Sequence, residues 1–283
     1  MFRFREMPVG GGFSPVRLRL VVIIFLVIAP LMLLAGCGGR TDEETPRVQE
    51  RILLLHERAG GALAEGSYHV ALHNLENALS LHRSVDDRVG EAFTLISRGR
   101  VLLVVGRYNE AEGAFTRARE LSEEEGDNRL LAESFASMGK LHNLRGEYHE
   151  AIMSLTRAID LDRKIGGSQL GGRLNLIGIA YRSAGSYDEA RGALEEALKV
   201  NKRGDIDRET ANSHRNIGDL LVEEKRYSDA FHHYTKALAL DKKLGESRKI
   251  GRDLEALAGV ELLEKRVESA VPLLERAYKV YVN

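Results

Sequence analysis

The sequence predicts an all-α fold built from one repeated helical unit, and three observations carry the expectation. The first is composition. The 283 residues include no Trp and only five Pro, and they are rich in Leu, Ala, Glu and Arg, which favour helix. The second is a six-residue block that recurs: GSYHVA (66–71), GRYNEA (106–111), GEYHEA (146–151), GSYDEA (185–190), KRYSDA (225–230) and KRVESA (265–270). Successive blocks lie 40, 40, 39, 40 and 40 residues apart, and self-similarity at such a period marks a stacked architecture. The third is a set of small residues at fixed offsets. Twelve residues before the last Ala of each block stand Ala59, Gly99, Gly139, Gly178, Gly218 and Ala258; seven after it stand Ala78, Ala118, Ala158, Ala197, Ala237 and Ala277. Between block and second Ala sits a large apolar residue: Leu75, Phe115, Leu155, Leu194, Tyr234 or Leu274.

In chain order, the N-terminus comes first. Arg3, Arg5, Arg17 and Arg19 make a basic leader, and Leu20 to Leu34 form an apolar run broken only by Pro30. That run is shorter than the ~20 residues a spanning helix needs. Leu34-Ala35-Gly36-Cys37 follows, and Cys37 is the only cysteine, which excludes an internal disulfide. These residues resemble a bacterial lipoprotein signal peptide with its lipobox. The resemblance implies that residues 1–36 are removed and that the Cys37 thiol carries a lipid. Gly38 stands where Asp would retain such a protein at the inner membrane, so the same resemblance implies the periplasmic face of the outer membrane. Residues 37–47 then form the lipidated cysteine and a polar tether to a repeat domain over 48–283. About ten residues reach at most ~35 Å, which keeps that domain close to the membrane.

The blocks and their flanking small residues resemble the tetratricopeptide repeat over nearly all of residues 48–283. The resemblance implies a right-handed α-solenoid of six helix-turn-helix repeats, with helix A before each block and helix B beginning inside it. Gly at the head of the first four blocks suits a left-handed helix end. Asp or Glu before the block-final Ala, in four repeats, suits the positive first turn of helix B. Helix axes approach to ~8–10 Å only at small side chains, so Gly or Ala in helix A and Ala in helix B are expected to meet. The family's period is about 34 residues; the surplus here is expected between helix B and the next helix A, with longer helices as the result. Lys225 and Lys265 replace Gly, and Val267 replaces Tyr, in the last two blocks. IGGSQLGG (165–172) reads as a turn or a hinge. Pro272 is expected in the first turn of the last helix, whose Leu274, Tyr278 and Tyr281 make an apolar stripe suited to a homodimer.

In such a superhelix the A helices line the inner wall, and positions three or four apart project from it. That face carries Glu133, Lys140 and Asn143 in repeat 3, Asn175 and Arg182 in repeat 4, and Asn212, Arg215, Asn216 and Asp219 in repeat 5. In repeats 1 and 2 it is more apolar, with Leu53, Leu63, Phe93 and Leu103. Long-repeat relatives of this family include kinesin light chains and bacterial peptide-sensing regulators. They imply that an Asn two residues before the helix A glycine holds a ligand's backbone. Asn216 occupies that place and Asn175 lies one residue away. An amide side chain suits the task because it donates and accepts together. A groove over repeats 3–5 that takes a protein or peptide segment is the expectation; a merely solvated wall is the alternative.

Formal net charge of −1 gives no case for nucleic acid. No Walker loop, GxGxxG or G-x-S-x-G occurs, and no cysteine remains as a nucleophile. His69 and His73 stand four apart and His232 and His233 are adjacent, but with no third ligand in view they read as solvated surface, so neither a metal nor another cofactor is expected. The sequence is therefore read as a non-enzyme, a lipid-anchored scaffold or adaptor that binds envelope proteins or peptides and assists an envelope assembly of the pilus or secretion type. A peptide-responsive regulator is the alternative.

Overall fold

The computed structural model describes residues 44–282. The expectations for the signal peptide, for Cys37 and for most of the tether lie outside the described residues. The chain divides into two compact units, residues 1–53 and 54–283. The described part of the first is the opening of α1 (Glu44–Ala64). The second carries the rest of α1 and then α2 (Tyr68–Ser84), α3 (Arg88–Val104), α4 (Tyr108–Glu124), α5 (Asn128–Arg145), α6 (Tyr148–Ile165), α7 (Leu170–Ser183), α8 (Tyr187–Arg203), α9 (Asp207–Glu223), α10 (Tyr227–Leu244), α11 (Ser247–Leu263) and α12 (Val267–Val282). No strand occurs among the described residues. Consecutive helices pair antiparallel, giving the all-α solenoid that the block spacing predicts.

Each turn between these helices contains one residue with positive φ: Gly66, Asp86, Gly106, Gly126, Gly146, Gly166, Gly185, Asp205, Lys225, Gly245 and Lys265. Neighbours in this series stand 20 residues apart, or 19 between Gly166 and Gly185. The 40-residue period is thus two equal halves. The surplus over the family's length is shared by both helices, not gathered before the next helix A as expected, because both kinds of turn close in the same left-handed way. The missing residue falls between Gly166 and Gly178, where the turn is longer than the others and α7 is the short helix at 14 residues. Within IGGSQLGG, Gly166 is the left-handed cap of α6, whereas Gly171 is helical and its hydrogen faces the Asn201 amide, 1.8 Å from where a Cβ would meet Oδ1.

Packing inside repeats 2–5 departs from the expected Gly–Ala contact. A Cβ at Gly99 would stand 2.4 Å from Cε1 of Phe115; at Gly139, 2.5 Å from Cγ of Leu155; at Gly218, 2.6 Å from Cε1 of Tyr234. The helix A glycine therefore receives the large apolar residue of helix B, and the helix B alanines, fully buried at 118, 158, 197 and 237, fill the space on other sides. Burial of such a ring contributes ~1.5–3 kcal/mol. Along the inner side, α3, α5, α7 and α9 touch in succession as well as through their B helices. Pro272 is the sixth residue of α12, beyond the first turn where it was expected. Its missing N–H removes one bond of that helix.

Candidate functional site

The inner helices enclose a cavity of about 560 Å3 whose walls come from α1, α3, α5, α7, α9 and α11. Helical spacing places the lining. Arg100 and Lys140 each follow the helix A glycine by one residue, Glu133 and Asn212 each precede it by six, and Asn175 and Arg215 by three. Of the expected groove residues, the cavity gathers Glu133, Lys140, Asn175, Asn212, Arg215 and Asn216. Asn143, Arg182 and Asp219 lie outside it. Arg182 pairs with Asp219 at 3.3 Å, and Asp219 accepts the Tyr234 hydroxyl at 2.8 Å, so these groups tie α7, α9 and α10 together. Among the apolar residues named above, Leu63 and Leu103 line the cavity, while Phe93 lines a neighbouring one of about 750 Å3 that shares Arg100, Glu133, Gln169 and Arg173.

Electrostatics organise the wall. Glu133 accepts from Arg173 Nη2 at 2.8 Å and also pairs with Arg100. Arg173 is buried and pairs further with Asp162 of α6. Arg215 is 3% exposed and lies between two fully buried carboxylates, its Nε donating to Asp253 at 2.6 Å and its Nη2 pairing with Asp241. Burial, and after it the Asp241 carboxylate, push Asp253 up to about 6 against the pull of Arg215. The Arg215 guanidinium is therefore engaged behind the wall. It also donates to Asn212 Oδ1 at 2.9 Å, and Asn212 Nδ2 donates to Glu209 at 3.2 Å.

Two amides keep capacity. Asn216 lines the cavity with no side-chain hydrogen bond among the described residues. Asn175 donates long bonds of 3.3 and 3.4 Å to Glu209, and its Oδ1 has no partner. Burial holds Lys140 below the usual lysine range, and the nearby Arg100 adds to the effect. Arg100 is lowered by burial and by Arg173.

The sequence reading missed Arg100, Arg173, Glu209 and Arg252. Arg100 was within reach, because it repeats the register of Lys140. Arg173 repeats the register of Thr94, Ser134, Ser213 and Asp253, a buried polar position in repeats 2–6. On the outer side, the adjacency of His232 and His233 hid the nearer pair: His214 Nδ1 lies 3.1 Å from His233 Nδ1. Burial, then His233, lowers His214 to about 3; burial, then Lys236, lowers His233 to about 4. Among the described residues no group of three or more His, Cys, Asp or Glu is placed to hold a metal, and no helix is long and apolar enough to cross a membrane.

Fold and wall together define a helical-repeat protein with a polar concave face. The chain belongs to the tetratricopeptide repeat family, whose model matches residues 50–124, 94–164, 172–243 and 209–281. Similar solved structures include the apo form of RapI, at TM-score 0.67 and 14% identity over 94% of each chain. A Rap protein complexed with Competence and Sporulation Factor matches at TM-score 0.67 and 12% identity, over 82% of this chain and 75% of that one. BtubC from P. vanneervenii matches at TM-score 0.57 and 17% identity, over 83% and 91%. At these identities the likeness concerns the fold.

Proposed function

We propose that this protein works by binding rather than catalysis, holding an extended segment of another protein or a peptide in the α3–α11 cavity. The observation that carries the reading is the pair of cavity amides, Asn216 and Asn175, with unused hydrogen-bonding capacity in a space large enough for a short peptide. A peptide backbone offers alternating donors and acceptors, and an amide side chain answers both. The Rap complex with Competence and Sporulation Factor supports a bound ligand on this kind of scaffold. The test replaces Asn216 and Asn175 with Ala. Arg215 is left alone, because its removal would strand two buried carboxylates and cost about 3–5 kcal/mol of stability. Capture of the cross-linked cellular partner should be lost while the melting curve is unchanged; capture at wild-type strength would remove the cavity from the account.

The address is a lipid on Cys37 and the periplasmic face of the outer membrane, where anchoring raises the effective concentration of the array toward envelope partners. An envelope assembly of the pilus or secretion type is the setting this reading favours. Radiolabelled palmitate should attach to the wild-type chain and not to Cys37→Ala. A peptide-responsive regulator is the second reading, favoured by the Rap complex; it requires the scattering profile to change when peptide binds. On α12, Tyr278 is 68% exposed and Leu274 is 42% exposed, and a homodimer would cover them. Sedimentation of the purified chain across concentrations decides that point.

A further inference from the structure

We propose that a second pocket, set between α8, α9 and α10, binds a phosphomonoester, with Lys202, Lys236, His214 and Thr210 as its donors. The pocket holds about 410 Å3 and shares no lining residue with the inner cavity. It gathers polar groups from three helices: Lys202 from the last turn of α8, Thr210 and His214 from α9, and Lys236 from α10. Thr210 and His214 stand four apart, on one face of α9, and are 6% and 3% exposed. Both keep capacity. The Thr210 hydroxyl has no hydrogen-bond partner among the described residues, and His214 uses only Nδ1, against His233. Buried polar groups are satisfied almost without exception in folded proteins, so two idle ones lining the same space mark a ligand's place.

The charge around that space is positive. Lys202 and Lys236 are exposed and form no ion pair among the described residues. Of the two carboxylates on the lining, Asp207 is held by Lys243 at 2.5 Å, and Asp205 is exposed in the turn between α8 and α9, where solvent screens it. The imidazole registers this field: after burial and His233, the two lysines lower the proton affinity of His214. A bound anion acts in the opposite direction. In the His214–His233 bond one Nδ1 donates and the other accepts. An anion selects the arrangement in which His233 donates, which leaves the His214 proton on Nε2. Two ammonium groups, an imidazole N–H and a hydroxyl then serve one ligand from three helices. That number of donors suits the several oxygens of a phosphate better than the two of a carboxylate, and lysine serves phosphate as a point charge. The phosphate takes only part of the space, and Ala239 and Leu240 line the rest for the apolar body of the ester.

The experiment titrates the full chain in detergent with phenyl phosphate and with phenol, read by isothermal calorimetry. Phenyl phosphate should bind about tenfold or more tightly than phenol, as expected for charge-assisted bonds. Short-chain phosphatidic acid in the same titration separates the sources of the group: preference for phenyl phosphate assigns a soluble ester, and preference for the lipid assigns a headgroup. Lys236→Met should weaken phenyl phosphate about fivefold or more at an unchanged melting temperature, and Lys236→Arg should keep it. Thr210→Val, which preserves the shape and removes the hydroxyl, should weaken it too. Lys236 is exposed, so its replacement tests the site even where Thr210→Val fails to fold. Equal binding of phenyl phosphate and phenol, no binding of either phosphate, or wild-type affinity in Lys236→Met overturns the proposal. Loss of binding in Asn216→Ala overturns it as well, because the phosphate then sits in the inner cavity.

Discussion

At the residue scale, the contact that fixes repeats 2–5 is a missing Cβ. Gly99 admits the fully buried Phe115 ring, with no flexible end to yield. Helix propensity favours Gly99→Ala by up to about 1 kcal/mol, but overpacking costs ~1–3 kcal/mol, and the ring has nowhere to go. We expect a net loss of stability in denaturant melts. Repeat 1 already combines Ala59 with a buried Leu75, so Phe115→Leu should rescue Gly99→Ala; failure of the rescue would refute the ring clash as the cause. A second prediction concerns pH. His214 and His233 are neutral in the fold, with values of about 3 and 4, against ~6.5 when unfolded. Between those limits the unfolded chain binds more protons, so stability falls as pH drops below 6.5. Asp253 acts with the opposite sign: its value of about 6 lies above the ordinary one, so acidification between 6 and 3.8 favours the fold. A variant isolates the histidine. His214→Gln should lose less stability than wild type between pH 6.5 and 4.5, by up to ~1.4 kcal/mol per pH unit. Parallel curves would show that His214 titrates normally.

At the element scale, the sequence displayed the turns after helix A but hid those after helix B. Gly66, Gly106, Gly146 and Gly185 open recognisable blocks. Their counterparts at 86, 126, 166, 205 and 245 are a mixture of Asp and Gly in varied surroundings, with the same positive φ. That is why the half-period escaped notice and the surplus length was misplaced. Lys225 and Lys265 adopt φ of 61° and 62°, where a Cβ crowds the following carbonyl at a cost of ~1–2 kcal/mol. Lys225 is exposed and makes no ion pair among the described residues. Lys225→Gly should therefore stabilise the chain by about 1 kcal/mol, after allowing for the freer unfolded state of glycine. A fall in urea midpoint would show that the lysine side chain contributes more than its backbone costs.

At the scale of the whole molecule, the fold class was legible because small and large residues recur at fixed offsets, and packing demands nothing else. The cavity was legible only in part. Helical periodicity assigns residues to a face, yet it cannot say which polar groups are consumed by each other. Arg215 looked like a ligand contact and is occupied by Asp241 and Asp253; Asp219 looked available and is bonded by Tyr234 and Arg182. Pairs of this kind join residues 15 to 40 positions apart, beyond the reach of local pattern. Residues 1–43, including Cys37, stand on the sequence alone.

The uniform left-handed bends make the array a set of interchangeable cassettes. Excising residues 106–145 would splice Val105 to Gly146, so that α3 is followed by α6 through a glycine bend of the same kind, and Gly99 would receive Leu155 in place of the Phe115 ring. The shortened chain should keep its helicity per residue by circular dichroism and melt cooperatively. It should also lose peptide capture, because Glu133 and Lys140 leave the cavity wall with the cassette. A molten product would mean that neighbouring units are fitted to one another individually, and that the common beat is only a resemblance.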